Sequence, residues 1–487
     1  MKPRLGSRLN TPAYDRSQAV GVVHLGTGAF HRAHQAVYFD TLMAQGETGW
    51  MIQGASLRSD AIAKQLNPQG GLYTMVVQDG SGETDQIISS IKNVLVAPQQ
   101  PAALLSALAH ADTQLVTLTV TEKGYHLDPA SGALNLDDPL IRADLSGQSA
   151  PRTAPGFLVS ALKARRDKGL TPFTILSCDN LPHNGVLTCS AICEFARQSD
   201  PALADWIEKE AAFPSSMVDR IVPATTDADL KALATRLPYR DEGMVKTEPF
   251  TQWVVEDNFC GRRPALETAG VTMTKTVADW EHAKLRLLNG AHSALAYLGS
   301  LAGHEYVDQA MGAPGFERFV DMLWDEAVTT LKPFAGFDAD AYRGELKDRF
   351  CNPSLKHRTF QIAMDGSQKL PQRLLGAIRD RRAQGLTSPA LSLGVGAWMR
   401  WQYAQDEHGQ SFVVDDPLAH MTQEAVRSAD GNPVQTAKAL VNIEDIFATD
   451  FKDDVHSTTA FSDALSALLN AGAAQTVQSF AETGSYS

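Results

Sequence analysis

"VVHLGTGAFHRAHQ", residues 22–35, decides how the first part of this chain is read. An apolar run over residues 19–25 meets two glycines, Gly26 and Gly28, and a stretch of helical character follows over residues 29–44. Strand, glycine turn and helix in that order open a dinucleotide-binding unit. Bare backbone N–H groups and the helix dipole favour a pyrophosphate at such a turn. The G-x-G-x-x-G fingerprint asks for a third glycine at position 31, but His31 stands there between Phe30 and Arg32. The turn alone admits two readings, a nucleotide site with altered packing or an ordinary tight turn. His31 reads as a ligand-facing side chain, as looser packing of helix on sheet, or as a surface residue.

Outward from the turn, residues 50–56 read as a second strand. Residues 114–122 form a β-branched strand closing on Glu122, and residues 173–180 form an apolar strand ending at Asn180. Strands alternating with helices predict a Rossmann-like α/β unit with a mainly parallel sheet. Chemistry gathers at the C-terminal ends of such strands, where Glu122 and Asn180 lie. In "ASLRSD", Asp60 is the acid placed to accept from ribose hydroxyls, and Arg58 beside it keeps a 2′-phosphate open. Near residue 278 helical periodicity takes over and no run of strand signals follows. The expected organisation is a dinucleotide-binding domain over residues 1–278 and a mostly α-helical substrate domain over residues 279–487. The last residues, "ETGSYS", are expected to fray.

The bulk numbers narrow the class. The 487 residues carry a formal charge of −13, which repels nucleic acid and anionic membranes. No apolar stretch approaches the ~20 residues of a membrane span. The first fifteen residues lack an apolar signal core. Five cysteines, an odd number with no C-x-x-C pair, argue against a disulfide framework or structural zinc and fit a reducing compartment. A cytoplasmic monomer acting on a small molecule is expected, with no metal.

"KLRLLNGAH" carries Lys284, Asn289 and His292. At about 100° per residue, Asn289 lies roughly 140° and His292 roughly 80° from Lys284, one broad face. A lysine against apolar surface loses its proton more easily and becomes a candidate general base. Asparagine donates to a developing alkoxide or carbonyl oxygen. The alternative is an amphipathic helix with one solvated lysine.

"HLGTGAFHRAHQ", "TVTEKGY", "SCDNLPHNG", "MVDRIVP", "EPFTQWVVEDNF" and "KLRLLNGAHSALAYLG" together resemble the polyol-specific long-chain dehydrogenases. The resemblance spans roughly residues 20 to 400 with the blocks in order. It implies that the turn binds NAD and that its third glycine is naturally replaced, with Gly26, Gly28, Phe30, His31, Arg32, Asp60 and Glu122 around the cofactor. It implies metal-independent oxidation of a secondary alcohol, with Lys284 as general base. Asn180 and Asn289 become oxyanion donors, and His292 orients the substrate. Asp219, Arg220 and Lys369 fall at or near substrate contacts, and Glu281 near the proton path. Within the family, "FCNPSLKHRTFQIAMDGSQKLPQRLL" and "TEKGY" are similar to the fructuronate reductase (mannonate oxidoreductase) branch, whereas "ASLRSD" is closer to the mannitol branch. Lys356, His357, Arg358 and Lys369 offer positive charge to a uronate carboxylate, and Arg358 is the expected clamp. Mannitol 2-dehydrogenase, a tagaturonate oxidoreductase and a catalytically silent nucleotide sensor are the alternatives. The intact Lys284, Asn289 and His292 favour an enzyme over the sensor.

Overall fold

The computed structural model describes residues 13–128 and 131–486. Residues 1–12, on which most of the leader reading rests, lie outside the described residues. The chain divides into two compact units, the first ending at Ala278 and the second beginning at Asp279.

Eleven strands occur among the described residues, all in the first unit. They are β1 (Val20–Leu25), β2 (Met51–Ser56), β3 (Tyr73–Asp79), β4 (Gly82–Ile88), β5 (Ile91–Val96), β6 (Leu115–Leu118), β7 (Thr174–Ser177), β8 (Ser216–Asp219), β9 (Val245–Thr247), β10 (Gln252–Glu256) and β11 (Thr272–Thr274). The main sheet runs β5-β2-β1-β6-β7, and every pairing in it is parallel. Side chains of successive residues leave a strand on opposite faces. Accordingly Val22 enters a core with Phe39, Ile52 and Trp253, while Val23 and Leu25 enter a second core with Phe157 and Ile175. A sheet covered on both faces is the Rossmann-like arrangement.

Two smaller three-stranded sheets, β11-β10-β8 and β4-β3-β9, mix parallel and antiparallel pairs. The β3–β4 hairpin had a local signal, Asp79-Gly80 at its turn. The strand expected over 114–122 stops at Leu118, and Glu122 opens a 3₁₀ turn, Glu122–Tyr125. The helix expected over 29–44 is broken at His34 into Ala29–Ala33 and Gln35–Ala44.

Among its described residues the second unit is helical. Its centre is Gly290–Leu301, every residue of which except Ser300 is buried. A helix apolar on all sides has to sit inside a bundle. It packs against Pro389–Trp401 and the C-terminal helix Val455–Thr483. The expected fraying does not extend to Tyr486, whose hydroxyl donates to the Pro389 carbonyl at 2.7 Å and whose ring stacks on Phe480. All five cysteines are free thiols. Among the described residues no helix is long and apolar enough to cross a membrane.

Candidate functional site

In the first unit a cavity of about 900 Å³ lies at the C-terminal ends of the main-sheet strands. Gly26, Ser56, Arg58, Thr119, Thr121 and Gly124 are in its wall. From β1 the strand order runs one way to β2 and the other way to β6, so the cavity marks the topological switch point. Gly26 has φ +96°, and a Cβ there would stand 2.1 Å from the Thr119 carbonyl oxygen. A Cβ on Gly28 would meet nothing nearer than the Gly26 carbonyl, at 3.7 Å. The fold therefore demands Gly26. It does not demand Gly28, which leaves bare backbone at the start of the next helix.

His31 is neither on the surface nor in the cavity wall; a ring stands between helix and sheet where a glycine would allow closer packing. It is fully buried, its ring lying flat on His24 with centroids 3.4 Å apart and planes 11° apart. The His24 nitrogens bond the hydroxyls of Thr117 and Thr119 at 2.8 and 2.9 Å. Two stacked rings thus fill the space under the turn, and His31 faces no ligand. Burial keeps both neutral, driving His24 down to about 3 and His31 well below its ordinary value.

Arg32 is also buried. It donates to the Gly28 carbonyl at 3.2 Å and to the Gly243 carbonyl, with its guanidinium over the Tyr73 ring. It braces the short helix and does not present itself to a cofactor. Phe30 stacks on His34 at 5.0 Å and stays partly exposed. The Asp60 carboxylate lies 2.9 Å from the Lys64 ammonium and outside the cavity wall, where Arg58 stands instead. Glu122 is exposed, between Thr121 and Gly124 of the wall.

Asp179 is the residue that sequence reasoning passed over. Its carboxylate accepts from the Val120 and Thr121 N–H groups at 3.0 and 2.9 Å and from the Tyr125 hydroxyl at 2.7 Å. Burial raises its pKa. It ties the loop after β6 to the end of β7, directly before the exposed Asn180. The signal was available, since an acid beside Asn180 at a strand end sits where chemistry collects. Asp219 ends β8, buried. Arg220 departs from its expected substrate role. Its guanidinium donates to the main-chain carbonyls of Ala33 at 2.6 Å and Glu248 at 3.0 Å, so it clasps the fold.

In the second unit the helix Val277–Lys284 runs into a π-helical turn, Leu285–Asn289, before Gly290–Leu301. The Gly290 N–H reaches back five residues to the Leu285 carbonyl. In an α-helix Lys284 and Asn289 would stand roughly 140° apart; a five-residue span rotates them toward one face. Lys284 is buried, and Asn289 is partly exposed with no hydrogen-bond partner for its amide among the described residues. His292 stacks on Phe350 at 4.7 Å and meets the His357 ring edge-on at 4.9 Å. Burial, then His357, Arg349 and Arg373, hold His292 well below its usual pKa.

A second π-helical turn, Pro371–Leu375, packs against the first. Each is followed by a glycine that admits the other. A Cβ on Gly290 would stand 3.0 Å from the Arg373 carbonyl oxygen, and one on Gly376 would stand 2.9 Å from the Arg286 guanidinium. Arg286 continues to Asp380 at 2.7 Å, and the Trp324 indole donates to the Leu287 carbonyl at 2.9 Å. Lys369, in the short helix Gly366–Leu370 that leads into the second turn, donates to the Met364 carbonyl at 2.5 Å. Burial, then Arg373, lowers its pKa. Arg358 is not at this site. Lys356 has φ +43°, and the chain then runs extended through an isolated bridge between Arg358 and Tyr306. His357 accordingly turns in to His292, while the exposed Arg358 turns out to Glu305 at 3.5 Å. The residue expected as the clamp therefore lies on the side opposite to the one His357 presents to His292. Among the described residues no group of three His, Cys, Asp or Glu side chains is arranged to hold a metal.

Comparison with known proteins gives a consistent result. Residues 20–268 match the mannitol dehydrogenase Rossmann domain, and residues 276–469 match the mannitol dehydrogenase C-terminal domain. The D-mannonate oxidoreductase of Escherichia coli K12 is 42% identical, over 96% of this chain and 97% of its own length. A mannitol 2-dehydrogenase of Aspergillus terreus is 39% identical, over 98% and 96%. The solved Pseudomonas fluorescens mannitol 2-dehydrogenase, in ternary complex with NAD and D-mannitol, superposes with a TM-score of 0.80. It is 36% identical and covers 97% of this chain and 96% of its own.

Proposed function

This chain belongs to the mannitol dehydrogenase family, and from that premise we propose an NAD-dependent, metal-independent oxidoreductase that interconverts D-fructuronate and D-mannonate. The observation that carries the choice of a sugar acid is the partly buried Arg373 guanidinium, which bonds the hydroxyl of Ser293, next to His292, at 3.1 Å and makes no ion pair among the described residues. Such surroundings favour a substrate that brings its own carboxylate. The 42% identity to a D-mannonate oxidoreductase supports the same choice.

When bound, NAD takes up or delivers the hydride at the carbinol carbon. The chain's own residues do the rest. The bare backbone at Gly28 and the cavity wall at Gly26 suit a pyrophosphate. Lys284 accepts the substrate hydroxyl proton on its Nζ during oxidation and returns it to the oxygen during reduction. Asn289, its amide without a protein partner among the described residues, donates to that oxygen as charge develops. Asn180 has the same oxyanion role on the family resemblance, and His292 and Lys369 orient the substrate.

A second reading, oxidation of mannitol to fructose, is favoured by the 39% identity to a mannitol 2-dehydrogenase. Initial rates of NADH oxidation with D-fructuronate, D-tagaturonate and D-fructose, measured in parallel, separate the two. A marked preference for fructuronate is expected. A preference for fructose transfers the assignment to the second reading.

A further inference from the structure

Arginines in the second unit mostly have their charge answered. Arg286 meets Asp380 at 2.7 Å, Arg343 meets Asp325 at 2.7 Å, and Arg379 and Arg382 meet Asp450 at 2.8 and 2.6 Å. Arg373 is different. Among the described residues its guanidinium makes no ion pair, and its one side-chain hydrogen bond runs from Nη1 to the Ser293 hydroxyl at 3.1 Å. The residue is only partly exposed. Withdrawing a cation from water without a counter-charge is costly, and the cost is relieved when the anion arrives with a ligand.

Its position says which ligand. Ser293 follows His292 directly, and Arg373 acts electrostatically on both His292 and Lys369. The Gly290 contact fixes the Arg373 backbone against the turn that carries Lys284 and Asn289. Ser293 occupies Nη1, which leaves the Nε–Nη2 edge, two parallel N–H donors in one plane. That edge matches the two oxygens of a carboxylate and has no equivalent partner in a hydroxymethyl group. The neighbouring Lys369 is no substitute, since its ammonium already donates to the Met364 and Ile362 carbonyls at 2.5 and 3.4 Å.

Resting on the sugar-acid reading above, we infer that Arg373 is a specificity-determining residue that holds the carboxylate of the substrate through its Nε–Nη2 edge. It discriminates the uronate from the ketose, while the proton chemistry stays with Lys284.

The test compares kcat and KM for D-fructuronate and D-fructose in the wild type, Arg373→Met, Arg373→Lys and Arg358→Ala. In Arg373→Met the ratio of kcat/KM for fructuronate over fructose is expected to fall about 10- to 150-fold, the worth of a charge-assisted pair, chiefly through KM. Arg373→Lys, which keeps a point charge but no fork, is expected to recover part of the ratio. It also decides the matter if the methionine variant does not fold. Arg358→Ala is expected to leave the ratio unchanged. If Arg373→Met and Arg373→Lys lower both substrates equally, Arg373 only supports the turn and the inference is overturned. A wild type that prefers fructose overturns the sugar-acid reading instead, before any variant is compared.

Discussion

The glycine turn of the first unit and the facing π turns of the second both gather functional groups, but by opposite means. The turn works through what is missing. Gly26 lacks a Cβ because the Thr119 carbonyl occupies the space, and Gly28 lacks one although nothing in the protein fills it. The π turns work through something added. One extra residue within a helical turn rotates Asn289 toward Lys284, and the same device in the facing segment sets Arg373 against Gly290. A site made of bare backbone is written in residue types. A site made of side chains on a distorted helix depends on a local register that residue types do not declare.

The sharpest way to break this contrast is to remove the side chain that the first π turn serves. Lys284→Ala is expected to lower turnover by about 10²–10⁴-fold, the usual scale of general acid–base catalysis, while NADH binding followed by fluorescence is retained. Near-normal turnover across pH would mean that Lys284 is not the base.

The two glycines offer the next test. Gly26→Ala places a Cβ where φ is +96° and a carbonyl stands 2.1 Å away, so a loss of about 2 kcal/mol or more in urea unfolding is expected. Gly28→Ala meets only an ordinary contact at 3.7 Å. It should keep its stability and lose NADH affinity. Equal stability losses at both positions would erase the distinction between a glycine the fold needs and one the cofactor needs.

A stability effect of similar size is sought beneath the turn. His31→Ala should cost about 2–4 kcal/mol at pH 7, as a buried ring is replaced by a void. It should also flatten the acid limb of stability. The folded state holds His24 near 3 and His31 well below its ordinary value, against 6.5 unfolded. Below pH 6.5 the unfolded chain takes up protons that the folded chain refuses. Stability is therefore complete above pH 6.5 and drains as pH falls toward 3. Denaturant melts between pH 7 and 4 measure the slope, and an unchanged slope in the variant would sink this account of the stack.

Much of the first unit was legible. Apolar runs around residues 20, 52, 116 and 175 became β1, β2, β6 and β7, because parallel strands buried on both faces must be apolar throughout. β3, β4, β5 and β8 to β11 escaped, being half-exposed or only three to five residues long in several cases. Lys284, Asn289 and His292 are legible as residue types in a block, but α-helical pitch does not give their arrangement, because an inserted residue changes it. Arg358 stands out in the sequence by its charge in a basic run. The positive φ at Lys356 and the extended backbone after it send alternate side chains to opposite sides, so His357 rather than Arg358 reached the site. Arg373 gave no signal of its own, since what marks it is a lack of partners, and partners exist only once the chain has folded; Asp179 stood at a strand end, but its wealth of partners was equally out of sight.

The stack of His31 on His24 has one more consequence, for how an occupied turn differs from an empty one. Thr119 bonds both the His24 ring, at 2.9 Å, and the Gly26 carbonyl, at 2.9 Å, so the loop is clamped from below before anything binds above it. Ordering a loose backbone takes about 1–2 kcal/mol of conformational entropy per residue, and a segment already ordered by folding does not draw that from the affinity of its ligand. Gly26 to His31 is thus preorganised, and its amide hydrogen exchange should be nearly as slow without dinucleotide as with it.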